Sequence, residues 1–140
     1  LAWLNRYFDG HLLERDREAL NNPEGYYLAR GGYIWFARHQ ADNQVVGCVA
    51  LARHDNGCYE ISKMGVDDNW QTIGVGRRLL MAALDKAREL GASEVFLESS
   101  SKLERALQLY RNLGFREIPH PEGQSYFDRA DIYMTLTLRA

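Results

Sequence analysis

The sequence predicts an α/β fold of the α+β kind, in which a mixed, mostly antiparallel and twisted sheet is flanked by helices. Strand-like runs at residues 33–38, 44–53 and 58–66 follow one another, and Asp55-Asn56-Gly57 before the third run is typical of a hairpin turn. Helical and strand-like patterns then alternate from residue 75 to residue 138. The predicted order of elements is αββ-β-α-β-α-ββ.

The first predicted helix covers about the first 20 residues and ends at Asn21-Asn22-Pro23, because proline cannot continue a helix. Tyr33 begins a short aromatic strand. The strand at residues 44–53 carries apolar side chains on both faces, which is typical of a central strand. The strand at residues 58–66 is expected to pair with it across the hairpin turn.

The longest helical pattern begins near Val75 and repeats apolar residues every three or four positions as far as Leu90, where Gly91 is placed to end it. A strand at residues 94–98 follows. Ser101-Lys102-Leu103-Glu104 has the capping-box pattern and predicts the start of a second helix, which stops at Gly114. Strands at residues 115–118 and 131–138 complete the sheet.

Length and composition favour one ordinary globular domain, and we expect residues 1–140 to form it. A net charge of −2 provides no basic surface for nucleic acid, and no apolar run approaches the ~20 residues that span a membrane. No signal-peptide pattern is visible, and the start at Leu1 indicates that the natural beginning is missing. The four histidines lack metal-ligand spacing, so no metal site is expected.

Cys48 and Cys58 are expected to be thiols rather than a disulfide. The hairpin register predicted from the turn puts Cys58 opposite Arg53, five residues along the strand from Cys48. At ~3.3 Å per residue the separation is about 17 Å, which is too long for a disulfide. Two thiols indicate a reducing, cytoplasmic setting.

The segment Gln71-Thr72-Ile73-Gly74-Val75-Gly76-Arg77-Arg78 follows a strand and opens the longest helix. Two glycines at such a junction allow a tight turn, and the first helical turn offers about four N–H donors and roughly half a positive charge to an anion. The segment therefore predicts a phosphate or pyrophosphate site. Leu79 stands where a dinucleotide fingerprint needs a third glycine, and a Walker A ending is absent. The alternative is an ordinary helix start with solvated arginines.

Three motifs, in this order and at these separations, resemble the GNAT superfamily of acyl-CoA-dependent N-acyltransferases. They are Tyr59-Glu60-Ile61-Ser62-Lys63-Met64-Gly65-Val66, the loop Gln71-x-x-Gly74-x-Gly76, and Leu109-Tyr110-Arg111-Asn112-Leu113-Gly114-Phe115. The resemblance covers nearly everything from Gly32 to Leu138. The ending Arg129-Ala130-Asp131-Ile132-x-Met134 looks like a bacterial branch that is sometimes fused to MarR-type DNA-binding domains. The superfamily's usual first strand is missing from this chain.

The resemblance implies that acetyl-CoA binds as co-substrate, with no metal. The pantetheine arm would pair as an added strand with the backbone of Met64, Gly65 and Val66, and one of those N–H groups would polarise the thioester carbonyl. Ser100 stands near a position where relatives often carry asparagine, and its hydroxyl is expected to replace part of that contact. The pyrophosphate would lie on the glycine loop, at Gln71, Thr72, Ile73, Gly74, Val75, Gly76, Arg77 and Arg78.

Glu60 and Tyr110 are the candidate catalytic residues. A primary amine with a pKa near ~10.4 is almost wholly protonated at neutral pH, so a base must remove a proton, and the resemblance assigns Glu60 to this task. Strand alternation predicts Glu60, Ser62, Met64 and Val66 on one face. By the same resemblance, Tyr110 lies near the thioester sulfur and protonates the departing thiolate. The alternatives are a salt-bridged strand glutamate and a core tyrosine.

We therefore expect an N-acetyltransferase that moves an acetyl group from acetyl-CoA to a primary amine by direct attack in a ternary complex. The acceptor is expected to be a small molecule, with a protein lysine or N-terminal amine as the alternative. A non-catalytic acyl-CoA sensor is a further alternative, and the presence of both Glu60 and Tyr110 argues against it. No nucleic-acid or membrane partner is expected, and a homodimer is compatible with the sequence.

Overall fold

The computed structural model describes residues 31–39, 41–42, 44–70, 74–121 and 131–138. The helix predicted for the first 20 residues lies outside this part of the chain. Within it the strands are β1 (Tyr33–Arg38), β2 (Val45–Arg53), β3 (Cys58–Val66), β4 (Glu94–Ser99), β5 (Arg116–Ile118) and β6 (Ile132–Thr137). The helices are α1 (Val75–Glu89) and α2 (Glu104–Asn112), and a short 3₁₀ turn spans Asp68–Trp70.

The six strands form one sheet in the order β1-β2-β3-β4-β6-β5. Only β3 and β4 pair in parallel among these neighbours, and the other pairings are antiparallel. This arrangement confirms the predicted mixed, mostly antiparallel sheet with helices. The parallel pair is joined through α1, because parallel neighbours need a long crossover connection.

β2 is a central strand, as its apolar faces predict. It lies between β1 and β3, and its residues from Val46 to Leu51 are buried. The turn into β3 uses Asn56 at φ 63° and Gly57 at φ 76°, the left-handed conformations that this residue pair supplies at low cost.

The predicted position of Cys58 opposite Arg53 is wrong by one residue. Arg53 lies opposite Tyr59, and the backbone N–H of His54 donates to the carbonyl of Cys58 at 2.9 Å. The conclusion drawn from that register is nevertheless confirmed, since Cys48 and Cys58 are both free thiols.

A β-bulge at Ser62 changes which side chains of β3 share a face. Ala50 lies opposite Lys63 and Leu51 lies opposite Ile61, so Ser62 is the extra residue on β3. The alternation predicted through Glu60, Ser62, Met64 and Val66 is therefore wrong. Met64 and Val66 face the helices, whereas Glu60 faces the opposite side of the sheet together with Lys63.

The hydrophobic core lies between α1, α2 and one face of the sheet. Gly91 follows the last turn of α1 at φ 78°, as predicted for a helix end. The predicted capping box is wrong: α2 begins at Glu104 after Leu103, with no side-chain cap. The most completely buried large side chains are Leu51, Leu80, Leu97, Met134, Val49 and Val95.

Candidate active site

The site begins where β3 and β4 separate. Their parallel pairing covers Cys58–Glu94, Tyr59–Val95 and Glu60–Phe96 and stops there, while β3 runs on to Val66. A strand that leaves its neighbour opens a wedge whose wall is peptide backbone. This is the splay that the resemblance implies for binding an amide-rich chain.

A cleft of about 490 Å³ occupies this wedge and extends between the N-terminal ends of α1 and α2. It brings together six of the predicted cofactor residues and Tyr110 from three separate stretches of sequence. The lining consists of Met64, Gly65, Val66, Gly74, Gly76, Arg77, Lys102, Leu103, Glu104, Arg105, Ala106, Leu109 and Tyr110.

The hydrogen-bond pattern of β3 decides which backbone groups can face the cleft. The N–H of Asp67 donates to the carbonyl of Val46 at 2.8 Å, so the pair two residues away, Cys48–Gly65, is also hydrogen-bonded. Hydrogen-bonded and non-hydrogen-bonded pairs alternate along two antiparallel strands. The N–H and C=O of Met64, which is next to Gly65, therefore point away from β2. Of the three predicted residues, Met64 and Val66 therefore direct backbone groups into the wedge, and Gly65 directs its own toward β2.

Gly74 and Gly76 are required for two different reasons. Gly74 precedes α1 in the left-handed conformation at φ 85°, and a Cβ there would meet no atom within 4 Å. Gly76 lies inside α1, where a Cβ would approach Met64 Cε to 3.2 Å and Leu109 Cδ2 to 3.4 Å. The first glycine sets the turn, and the second lets the helix end pack closely on β3.

The N-terminal end of α1 carries no acidic residue in its first turn. Arg77 and Arg78 are both exposed, but only Arg77 lines the cleft, and Val75 packs against the hydrophobic core. The predicted cofactor positions Gln71, Thr72 and Ile73 lie outside the described residues.

Two further cations, Lys102 and Arg105, line the cleft from the start of α2. Together with Arg77 they place three positive charges around the wedge, against the single carboxylate of Glu104. Sequence reasoning missed both residues. The available signal was the pair of basic residues at the start of a helix, where acidic residues are usually favoured.

Ser100 stabilises the turn before α2 through a hydrogen bond. Its Oγ accepts a hydrogen bond from the backbone N–H of Lys102 at 3.2 Å, and it is not among the cleft-lining residues. Ser101, expected to cap α2, instead donates its N–H and Oγ–H to the Asp131 carboxylate, both at 2.7 Å. These hydrogen bonds lower the pKa of Asp131.

Tyr110 is buried in α2, with 5% of its surface exposed, and lines the cleft. Its ring packs edge-on against Phe115, with ring centroids 5.9 Å apart. Tyr110 is therefore a core residue through its ring and also borders the cleft, so its packing role does not conflict with the proposed functional role.

Glu60 lies on the other face of the sheet, at the last paired position before the wedge. It is 8% exposed, and its Oε1 is 2.8 Å from Nε2 of His54. The imidazole of His54 packs edge-on against Phe96, with centroids 5.0 Å apart. A buried carboxylate held by an imidazole is a suitable arrangement for moving protons.

A second carboxylate–imidazole pair lies on the same face, with Oε1 of Glu98 3.0 Å from Nε2 of His120. Between the two pairs, the rings of Phe96 and Tyr133 stack with centroids 5.6 Å apart. Burial, followed by nearby carboxylates of which Glu94 is first, raises the pKa of Tyr133 to about 12. This face of the sheet is thus aromatic and negatively charged.

Both cysteines are poor nucleophiles. Burial raises the pKa of Cys48 to about 12, and burial, with a further contribution from Glu94, raises that of Cys58. A thiol reacts as its thiolate, so neither side chain is activated. Among the described helices, none is both long and apolar enough to cross a membrane.

Comparison with known proteins shows the family and the fold of the chain. Residues 1–115 match the acetyltransferase (GNAT) family, and the chain belongs to this family. The family match and the fold thus define an acetyltransferase domain. The crystal structure of a GNAT-family acetyltransferase from Staphylococcus aureus superposes with a TM-score of 0.85 at 27% identity, covering 99% of this chain and 88% of that one.

Two curated relatives are named acetyltransferases that match parts of this chain. Mycothiol acetyltransferase of Thermobifida fusca is 33% identical over 116 residues, covering 74% of this chain and 32% of the relative. N-alpha-acetyltransferase RimI of Mycobacterium tuberculosis is 43% identical over 60 residues, covering 43% of this chain and 36% of the relative. The chain therefore spans about a third of the length of these relatives. The expected likeness to a branch fused to MarR-type domains is not borne out.

Proposed function

We propose that residues 1–140 form a single N-acetyltransferase domain that moves an acetyl group from acetyl-CoA to a primary amine by direct attack in a ternary complex. One observation carries the proposal: the wedge between β3 and β4 connects a cationic cleft on one face of the sheet with Glu60 on the other. Donor and acceptor can thus approach the same point from opposite faces.

The cleft fits acetyl-CoA in charge and in shape. Its cations and the N-terminal end of α1 suit the phosphates, and the left-handed turn at Gly74 aims backbone N–H groups at that position. The backbone groups of Met64 would pair with the amides of the pantetheine arm. Arg77, Lys102 and Arg105 would supply the charge-assisted contacts.

The chemistry needs a neutral amine, a polarised carbonyl and a protonated leaving group. Glu60 would take the proton from the acceptor, and the N–H of Met64 would donate to the thioester oxygen. Tyr110 would protonate the thiolate of the leaving CoA. A phenol with a pKa near ~10 that donates to a thiolate near ~8.5 works uphill by about 2 kcal/mol, so this contribution should be modest.

Direct transfer is favoured over a covalent cysteine intermediate. The sequence contains only two cysteines, and the pKa of each is raised, mainly by burial. Neither thiol can therefore accept the acetyl group readily at neutral pH. The two free thiols also support the cytoplasm as the proposed compartment.

The acceptor is proposed to be a small-molecule amine, because Glu60 is only 8% exposed and a narrow ligand reaches it most easily. A protein N-terminal amine or lysine is the second candidate, and the likeness to N-alpha-acetyltransferase RimI supports it. An acyl-CoA sensor needs neither Glu60 nor Tyr110, so it is the weakest of the three.

An acceptor screen tests the proposal. The purified chain is incubated with acetyl-CoA and a panel of small amines, peptides with free N-termini and peptides with internal lysines, and the release of free CoA thiol is followed. We expect thiol release that depends on one class of amine. Tight acetyl-CoA binding without turnover across the whole panel would instead establish the sensor.

A further inference from the structure

A proton must leave the site in every catalytic cycle. An ammonium acceptor carries three N–H bonds and the product amide carries one, so two protons are released when the carbon–nitrogen bond forms and the carbon–sulfur bond breaks. One proton ends on the sulfur of CoA. The other, on the proposed function, is taken by Glu60. Glu60 is 8% exposed, so its carboxyl needs a route to water before it can act again.

His54 is the side chain that connects this carboxyl to solvent. Its Nε2 is 2.8 Å from Oε1 of Glu60, and 44% of the His54 side chain is exposed against 10% of the Glu60 side chain. The edge-on contact with Phe96 holds the imidazole in place. The pair therefore has a buried end and a solvent end.

We infer that His54 is a positioning residue that relays the proton of Glu60 to solvent and so resets the base. Once Glu60 has accepted a proton, its Oε1–H donates to Nε2 of His54. The proton crosses this hydrogen bond, and the resulting imidazolium releases the proton on Nδ1 to water or to a buffer base. The carboxylate is restored with the imidazole in its Nε2–H form. Proton exchange with water then returns the exposed ring to the Nδ1–H form that can accept again, and no electrons are gained or lost.

The other described neighbours of Glu60 are unsuited to this task. The phenol of Tyr133, which interacts electrostatically with Glu60, stays protonated at neutral pH because its pKa is raised to about 12. Ala52 and Phe96 lie directly opposite it on the adjoining strands, and neither side chain can accept a proton. Lys63 shares its face and is a donor when charged. His120, the other histidine on this face, is bonded to Glu98 and its side chain is 18% exposed.

Two substitutions separate the relay from a merely structural role. His54→Gln keeps a side-chain N–H that can donate to Glu60, but an amide cannot pass a proton on. His54→Ala removes the imidazole and leaves space for a base from solution. The control is His39→Ala, which removes an imidazole of similar exposure, 37% against 44%, from a pair with Asp42 in the β1–β2 connection.

The experiment measures turnover of acetyl-CoA with the best amine from the acceptor screen, at fixed pH and ionic strength and with increasing imidazole buffer. At low buffer we expect both His54 variants to turn over about tenfold more slowly than the unsubstituted chain. Added imidazole should restore His54→Ala toward the original rate, while KM for acetyl-CoA changes less than twofold. His39→Ala should match the unsubstituted chain at every buffer concentration.

Two outcomes overturn the relay. One is a His54→Gln variant with the original rate at low buffer, because the hydrogen bond alone would then suffice. The other is a loss of rate that imidazole does not reverse, which would assign His54 to structure. If the unsubstituted chain itself releases no thiol with any amine, the proposed function fails and the relay fails with it.

Discussion

Glu60 lies directly opposite Phe96, and this is the last position at which β3 pairs with β4. The carboxylate is therefore placed at the apex of the wedge, while Met64, four residues further along, borders the cleft on the other face. The bulge at Ser62 is what separates the two residues onto opposite faces. One short strand thus presents a base to the acceptor side and backbone donors to the cofactor side.

The first prediction concerns the base. Glu60→Gln keeps the shape of the side chain but cannot accept a proton, so turnover at neutral pH should fall about 10²-fold or more. The rate should recover partly in alkali, because free amine then becomes available without a base. A pH–rate profile of thiol release measures both effects.

Glu98→Gln provides the comparison for this prediction. Glu98 is on the same face, is also paired with a histidine and is equally buried. A loss confined to Glu60→Gln supports the assignment. If instead Glu98→Gln shows the alkali-recoverable loss and Glu60→Gln does not, the base has been assigned to the wrong carboxylate.

The second prediction concerns the end of α1. Gly76→Asp should abolish acetyl-CoA binding, because it adds both a side chain and a negative charge at the proposed anion site. Gly76→Asn has nearly the same shape without the charge, and a Cβ at this position already approaches Met64 Cε to 3.2 Å. Binding by the Asn variant should therefore be weaker than in the unsubstituted chain but measurable by calorimetry.

The difference in acetyl-CoA affinity between Gly76→Asp and Gly76→Asn measures the effect of the added negative charge. Equal affinities of the Asp and Asn variants would show that no anion lies near residue 76. Denaturant unfolding of both variants checks that each one folds, since the crowding against Met64 and Leu109 is common to them.

Most of the architecture could be predicted from the sequence because it depends on local patterns. The apolar faces of β2 predict a central strand, and Asn56-Gly57 and Gly91 predict a turn and a helix end through their backbone freedom. The face of Glu60 could not be predicted, because counting alternate residues assumes that no bulge intervenes at Ser62.

The site residues that the sequence did not predict were missed for a different reason. His54 and Glu60 meet across a hairpin, and His120 and Glu98 lie 22 positions apart in the sequence, so neither pair has a local signature. The spacing of the histidines along the sequence could exclude a metal motif. It could not reveal contacts that form only when the strands pair in the sheet. Lys102 has a weak local signal, a basic residue at the start of a helix, but only the packing of α2 beside the wedge places it in the site.

The third prediction concerns the buried thiol. The pKa of Cys48 is about 12 in the folded chain, against 9.0 for an ordinary cysteine, so a thiol reagent at pH 8 should modify it only after unfolding. Above pH 9.0 the unfolded thiol ionises while the folded one does not. The free energy of unfolding should therefore decrease as pH rises, by about 1.4 kcal/mol per pH unit from this group.

Cys48→Ala tests whether Cys48 causes this decrease in the free energy of unfolding with pH. The variant should lose stability less steeply between pH 9 and pH 12 than the original chain, although the missing sulfur lowers its stability at neutral pH. Identical slopes in urea unfolding would show that Cys48 ionises equally in both states.

The last prediction separates an enzyme from a sensor through Tyr110. Tyr110→Phe keeps the ring that packs against Phe115 and removes only the hydroxyl. If the hydroxyl protonates the leaving thiolate, turnover should drop about 10- to 100-fold while acetyl-CoA affinity changes little, because the interaction strengthens only as charge develops on sulfur. Steady-state kinetics and calorimetry on the same preparation measure the two quantities.

Tyr59→Phe is the matched control, since Tyr59 is a half-buried tyrosine that packs against the core without lining the cleft. It should leave turnover unchanged. Equal losses of affinity and rate in Tyr110→Phe would indicate a contact already formed in the ground state. An unchanged rate would remove Tyr110 from the chemistry and leave it with the packing role that its 5% exposure indicates.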